Sequence, residues 1–121
     1  HVWPHSESEI PTDAMKLQSD VFAMPLDALK LERLNLLKLD IEGAEYEALL
    51  GASETIDRCK PIIFMEINAP CLTRMGANYQ KILELVVPKG YETTLYNQSQ
   101  GLELPQTDIV FLPKCDLFQL P

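Results

Sequence analysis

Carboxylates close both of the strongest apolar runs in this chain. The stretch LLKLDIEGAEYEALLGA (36–52) sets Asp40, Glu42 and Glu45 around Gly43, where an apolar run stops. The run PIIFMEI (61–67) reaches Glu66, and Asn68 follows just beyond it. Acids grouped in this way can orient a hydroxyl and take its proton, the work of a general base. Hard oxygen donors at Asp40 and Glu66 would also suit Mg²⁺, but no spacing demands a metal and none is expected. A plainer reading competes. Glu42 and Glu45 flank a helix start, where the helix dipole favours a carboxylate by about 0.3–1 kcal/mol, and Gly43 would then only permit a tight turn. That reading suits Glu45 better than Asp40, since an unpaired carboxylate at the end of an apolar strand is costly. Lys38, inside the first run, reads as a structural partner of Glu66 or Asp40 rather than a catalytic amine.

Other chemistries find no support. The five glycines, at 43, 51, 76, 90 and 101, are scattered, so neither a dinucleotide fingerprint nor a P-loop is present. No GxSxG elbow occurs, and both histidines fall within the first five residues. Cys59, Cys71 and Cys115 have no CxxC spacing, which gives neither a zinc signature nor a disulfide framework. Free thiols fit a reducing compartment, so a cytoplasmic location is expected.

The elements that must position the acids follow from periodicity. Residues 1–18 are polar and weakly periodic and read as an N-terminal tail. SDVFAMP (19–25) is a short strand candidate stopped by Pro25. In LDALKLERL (26–34), Asp27 is placed to cap a short helix or turn. NLLKLDI (35–41) and PIIFMEI (61–67) are apolar almost throughout, as strands buried on both faces are. AEYEALLGA (44–52) consists of good helix formers with Gly51 at a stop position, and SETIDRC (53–59) adds one further turn. Tyr79, Ile82, Leu83 and Val86 form a helical stripe that Lys89 and Gly90 end. YETTLYN (91–97) and TDIVFLP (107–113) are two more strands.

Strand, helix, strand, helix, strand, strand is the pattern of an α/β fold with a mainly parallel sheet. The last two strands lack a helix between them and can pair directly, which sets the final strand antiparallel at or near an edge. In such sheets ligands bind beyond the carboxyl ends of the strands. Side-chain alternation then brings Asp40 with Glu42, and Glu66 with Asn68, to one crevice, provided both segments stay extended.

Size and charge bound the rest. The 121 residues fit one domain with a modest core, and 46% hydrophobic with 23% charged residues is a globular composition. A net charge of −8 argues against an electrostatic grip on nucleic acid or an anionic membrane. No apolar run approaches the roughly 20 residues that span a bilayer.

Two long stretches carry a family resemblance. LDALKLERLNLLKLDIEGAEYEALLGA followed by KPIIFMEIN closely resembles the FkbM-type methyltransferases. Their pattern is matched by Leu26 to Leu29, Lys38 to Glu45, Ala48 to Ala52 and Ile62 to Glu66. The resemblance implies a class I, Rossmann-like methyltransferase using S-adenosylmethionine, commonly for O-methylation of sugars or small metabolites. It makes 35–41 and 61–67 the fourth and fifth strands, with 91–97 the sixth and 107–113 the antiparallel seventh. Residues 19–121 would then be the C-terminal half of the domain, with the main cofactor contacts outside this chain. Asp40 would face the transferred methyl and act on the acceptor hydroxyl. Glu42 and Glu66 would shape the catalytic pocket, and Lys38 and Asn68 would contact the acceptor. An upstream half-domain or a second copy is the expected partner, because a half-sheet leaves the edge of strand 35–41 open. The alternative is a non-catalytic half-domain serving binding or assembly.

Overall fold

Both apolar runs become neighbouring strands. In the computed structural model, which describes residues 21–95 and 106–114, β1 (Leu36–Leu39) and β2 (Ile62–Asn68) pair in parallel. β3 (Tyr91–Leu95) and β4 (Gln106–Pro113) complete a four-stranded sheet in the order β1-β2-β4-β3. β4 is antiparallel to both of its neighbours. The last strand therefore reverses as expected, but it lies one place in from the edge, and β3 takes the edge itself. That insertion makes two of the three ladders antiparallel although three of the four strands point the same way.

Burial alternates along the sheet. Leu39, Ile63, Met65, Ile67, Ile109 and Phe111 are buried on one face, together with Leu49, Ile56, Leu72, Ile82 and Val86 from the helices. On the opposite face Leu36, Ile62 and Leu112 are exposed. Phe64, Glu66, Asp108 and Val110 are only half-buried there. The strands are thus covered by helices on one side, so the expectation of runs buried on both faces holds for one face among the described residues.

The helices are α1 (Glu45–Leu50), α2 (Ser53–Cys59), α3 (Ala69–Arg74) and α4 (Tyr79–Val86). α4 shows the stripe expected of it, with Ile82 and Val86 fully buried and Tyr79 and Leu83 packed beside them. Asn78 caps it by accepting from the Lys81 amide at 2.9 Å, and left-handed Gly90 ends the 3-10 turn that follows. Gly51 does not make a left-handed stop. It stays right-handed, and the chain passes almost directly from α1 into α2, a full helix where one turn was expected.

Asp27 caps a helix, though not its own. It sits in a 3-10 turn (Leu26–Leu29), and its carboxylate accepts from the amides of Glu54 and Thr55 and from the Thr55 hydroxyl at 2.7–3.1 Å. Its own amide donates to the Gly51 carbonyl at 2.9 Å. The 25–29 segment is thereby strapped across the start of α2. Residues 21–25 form no strand: Val21 and Phe22 are exposed, and Pro25 lies beside Gly51. Residues 1–20, 96–105 and 115–121, and with them the tail, the start of the 19–25 strand and Cys115, fall outside the described residues.

Candidate functional site

The two parallel strands deliver their acids to the same end of the sheet. β1 ends at Leu39, so Asp40 is the first residue beyond it and is exposed. Continuing the β1–β2 register by one residue sets Asp40 beside Glu66, and the β2–β4 register sets Glu66 beside Asp108. All three carry on the alternation of the helix-free face. Three carboxyl groups therefore stand in a row across three adjacent strands.

Their proximity has an electrostatic consequence. Burial raises the pKa of Glu66 above its ordinary 4.5. The charge of Asp40, a hydrogen bond shared with Asp40, and the charges of Asp108 and Glu42 push it further in the same direction. Glu66 is thus crowded by negative charge at the strand ends, which favours its protonated form.

Glu42 does not share a strand face with Asp40, because the chain does not stay extended. Glu42 has φ +56° and Gly43 φ +108°, two successive left-handed residues that turn the chain from β1 into α1. The Glu42 carboxylate comes within reach of α3, with Oε2 3.8 Å from the Cys71 thiol that donates to it. Asn68 does share a face with Glu66, but its side chain is engaged: Oδ1 accepts from the Cys71 amide at 3.1 Å and caps α3. Lys38 pairs with neither Glu66 nor Asp40. It lies opposite Phe64 in the register, with Nζ 6.0 Å from the ring centroid.

Glu45 is the least exposed acid of the group, at 1%. Its Oε1 accepts from the Ile41 amide at 3.0 Å and its Oε2 from the Gly43 amide at 2.9 Å. Both bonds hold the turn, so this side chain does not cap α1. On the other side of the turn, a Cβ at Gly43 would lie 2.5 Å from the Cys71 carbonyl oxygen, so the turn and the start of α3 touch only because residue 43 is glycine. The 40–44 turn and the start of α3 therefore pack together at the carboxyl ends of β1 and β2.

Sequence reasoning missed Asp108 and Cys71 as members of this group, and it read Glu45 as a helix-start acid rather than as the acceptor of the turn's amides. Asp108 carried a signal, since it is the single charge in the apolar run TDIVFLP. Among the described residues no group of three or more side chains is arranged to hold a metal ion. No helix there is long and apolar enough to cross a membrane.

The fold is an α/β sheet with a cluster of acids gathered where its two parallel strands end. The family model for the methyltransferase FkbM domain matches residues 4–93, and the chain belongs to that family of methyltransferases. No curated protein and no solved structure matched the chain.

The methyl donor expected of such a protein is S-adenosylmethionine, and the described residues do not form a cradle that fits it. A cavity of about 620 Å³ lies beside β1 and is lined by Met24, Leu26, Leu37, Leu39 and Ile41, with Glu47 its only charged side chain. An aliphatic cleft offers few partners to a cofactor that carries an amino acid, a ribose and an adenine.

Proposed function

We propose that the chain supplies the acceptor side of an S-adenosylmethionine-dependent methyl transfer to a hydroxyl of a sugar or small metabolite. The strand order β1-β2-β4-β3, with β4 reversed, supports reading it as the C-terminal half of a class I, Rossmann-like sheet, over residues 19–121. The cofactor supplies an electrophilic methyl. The chain's own residues orient the acceptor oxygen and receive its proton as the new O–CH₃ bond forms. The observation that carries the reading is the Asp40–Glu66–Asp108 row, in which Glu66 is held above the ordinary carboxylate range. A base is most useful when its pKa lies near the working pH, and burial among like charges moves a carboxyl toward it. Asp40, exposed at the mouth of the row, is the group placed to meet the acceptor, with Glu66 behind it. Glu42 borders the pocket through its left-handed turn. Lys38 and Asn68 stand at its margin, where an acceptor longer than one ring would reach them.

The competing reading is a non-catalytic binding or assembly module, favoured by the lack of a cofactor cradle among the described residues. Calorimetric titration with S-adenosylmethionine, followed by transfer of labelled methyl to a panel of sugars and small alcohols, separates the two. Binding and transfer support the enzyme, and neither on a folded protein supports the module. We also propose that the free edge of β1 meets a second copy of the chain in solution. A cytoplasmic location accords with the free thiols of Cys59 and Cys71.

A further inference from the structure

We propose that Glu45 is a positioning residue for the acid pair, its buried carboxylate holding the 40–44 turn in the conformation that carries Asp40 and Glu42 over the crevice. The proposal deepens the methyl-transfer reading and rests on it for its kinetic part.

A carboxylate at 1% exposure has lost nearly all of its hydration. Among the described residues it has no cationic partner, and the only ion pair is that of Lys89 with Asp57. What compensates Glu45 is a pair of backbone amides, Ile41 at 3.0 Å and Gly43 at 2.9 Å, one for each oxygen. These amides belong to the residues on either side of Glu42. A carboxylate that only answered the helix dipole could do so from solvent. This one folds back beneath the turn.

The turn needs such a hold. Glu42 sits at φ +56°, a region that strains a residue with a side chain, and Gly43 follows at φ +108°. Left alone, Glu42 would relax to a right-handed or extended conformation, and its carboxylate would swing away from the crevice. Outward relaxation is blocked as well, because Gly43 is pressed against the Cys71 carbonyl. Glu45 from below and Cys71 from the side leave one position for the turn. Asp40 immediately precedes the clamped Ile41 amide, so its direction is fixed by the same two bonds.

Two variants and a matched control test the proposal. Glu45→Gln keeps the shape but sets an NH₂ against one of the two amides, and Glu45→Asp keeps the charge but shortens the reach. Ile82→Val, in α4, lowers stability while leaving both Glu45 bonds to the turn in place. The first measurement follows the side-chain carboxyl of Glu66 by NMR across pH. In both Glu45 variants its titration is expected to fall toward an ordinary glutamate, while Ile82→Val leaves it where the parent has it. The second follows methyl transfer, where kcat is expected to drop roughly 10- to 100-fold, the scale of a misplaced reacting group, with the KM for S-adenosylmethionine unchanged. Should a Glu45 variant fail to fold, hydrogen exchange on the unaltered protein replaces it: slow exchange at the Ile41 and Gly43 amides supports the clamp, and fast exchange overturns it. Glu66 titration and kcat matching those of Ile82→Val would also overturn it. A shifted Glu66 in a protein that transfers no methyl group at all would uphold the clamp and refute the methyl-transfer reading instead.

Discussion

Glu66 carries a cost that its surroundings impose. Its folded pKa is raised by burial and then by the acids around it. Below the ordinary value of 4.5 it is protonated in both the folded and unfolded states and costs nothing. As the pH rises from there toward the folded value, the unfolded chain loses its proton first, and stability falls. Glu66→Gln removes this penalty. Thermal melts are expected to show the variant more stable than the parent at neutral pH, by about 0.5–2 kcal/mol, with the difference vanishing near pH 4. The same variant is expected to lose methyl transfer, since the carboxyl group beside Asp40 is gone. A variant that is less stable at neutral pH would show that Glu66 serves the fold.

Among the elements, the strap at 25–29 does most to explain where the acids end up. Asp27 joins it to the start of α2, and α2 continues α1, whose first residue is Glu45. Partial burial would raise the pKa of Asp27. The hydrogen bonds from the Thr55 amide and hydroxyl and the Glu54 amide, with the charge of Arg58, outweigh that and hold it below 3.8. The stability it confers is therefore present above pH 3.8 and is lost as the pH falls through the lower folded value. Asp27→Ala is expected to cost about 1–2 kcal/mol in denaturant melts at neutral pH, and less in acid once the pH falls through the lowered folded value. An equal cost at neutral and acid pH would contradict the tertiary cap. The sequence showed that Asp27 was a capping residue but not which helix it caps, because capping signals are local and this bond spans 28 residues. Similarly, the strands over 35–41 and 61–67 were legible from their apolar runs, and the stripe of α4 from its 3.6-residue period. The left-handed Glu42 was not, since nothing in DIEG marks a glutamate rather than the glycine alone as the turning residue. Asp108 was hidden for a related reason. Only the insertion of β4 between β2 and β3 brings it beside Glu66, and strand order is a tertiary property.

For the whole molecule, the sheet has one well-covered face and one open face, and β1 has no partner on its outer edge among the described residues. Leu36, 59% exposed, lies on that edge. Exposed edges with unpaired backbone groups tend to associate. Sedimentation is expected to find a concentration-dependent dimer that Leu36→Lys weakens, whereas a monomer at every concentration would refute pairing through β1. The central claim, however, is that the acids at the strand ends work on the acceptor's proton. The most direct measurement is methyl-transfer kinetics of Asp40→Asn against the parent, with a thermal melt to show that both are folded. Asp40 is exposed and lies just past the strand, so the fold is expected to survive while turnover falls by a factor on the order of 10² to 10⁴, the contribution of a general base. Undiminished turnover in a folded Asp40→Asn would contradict the account and leave these acids as the trim of a helix start.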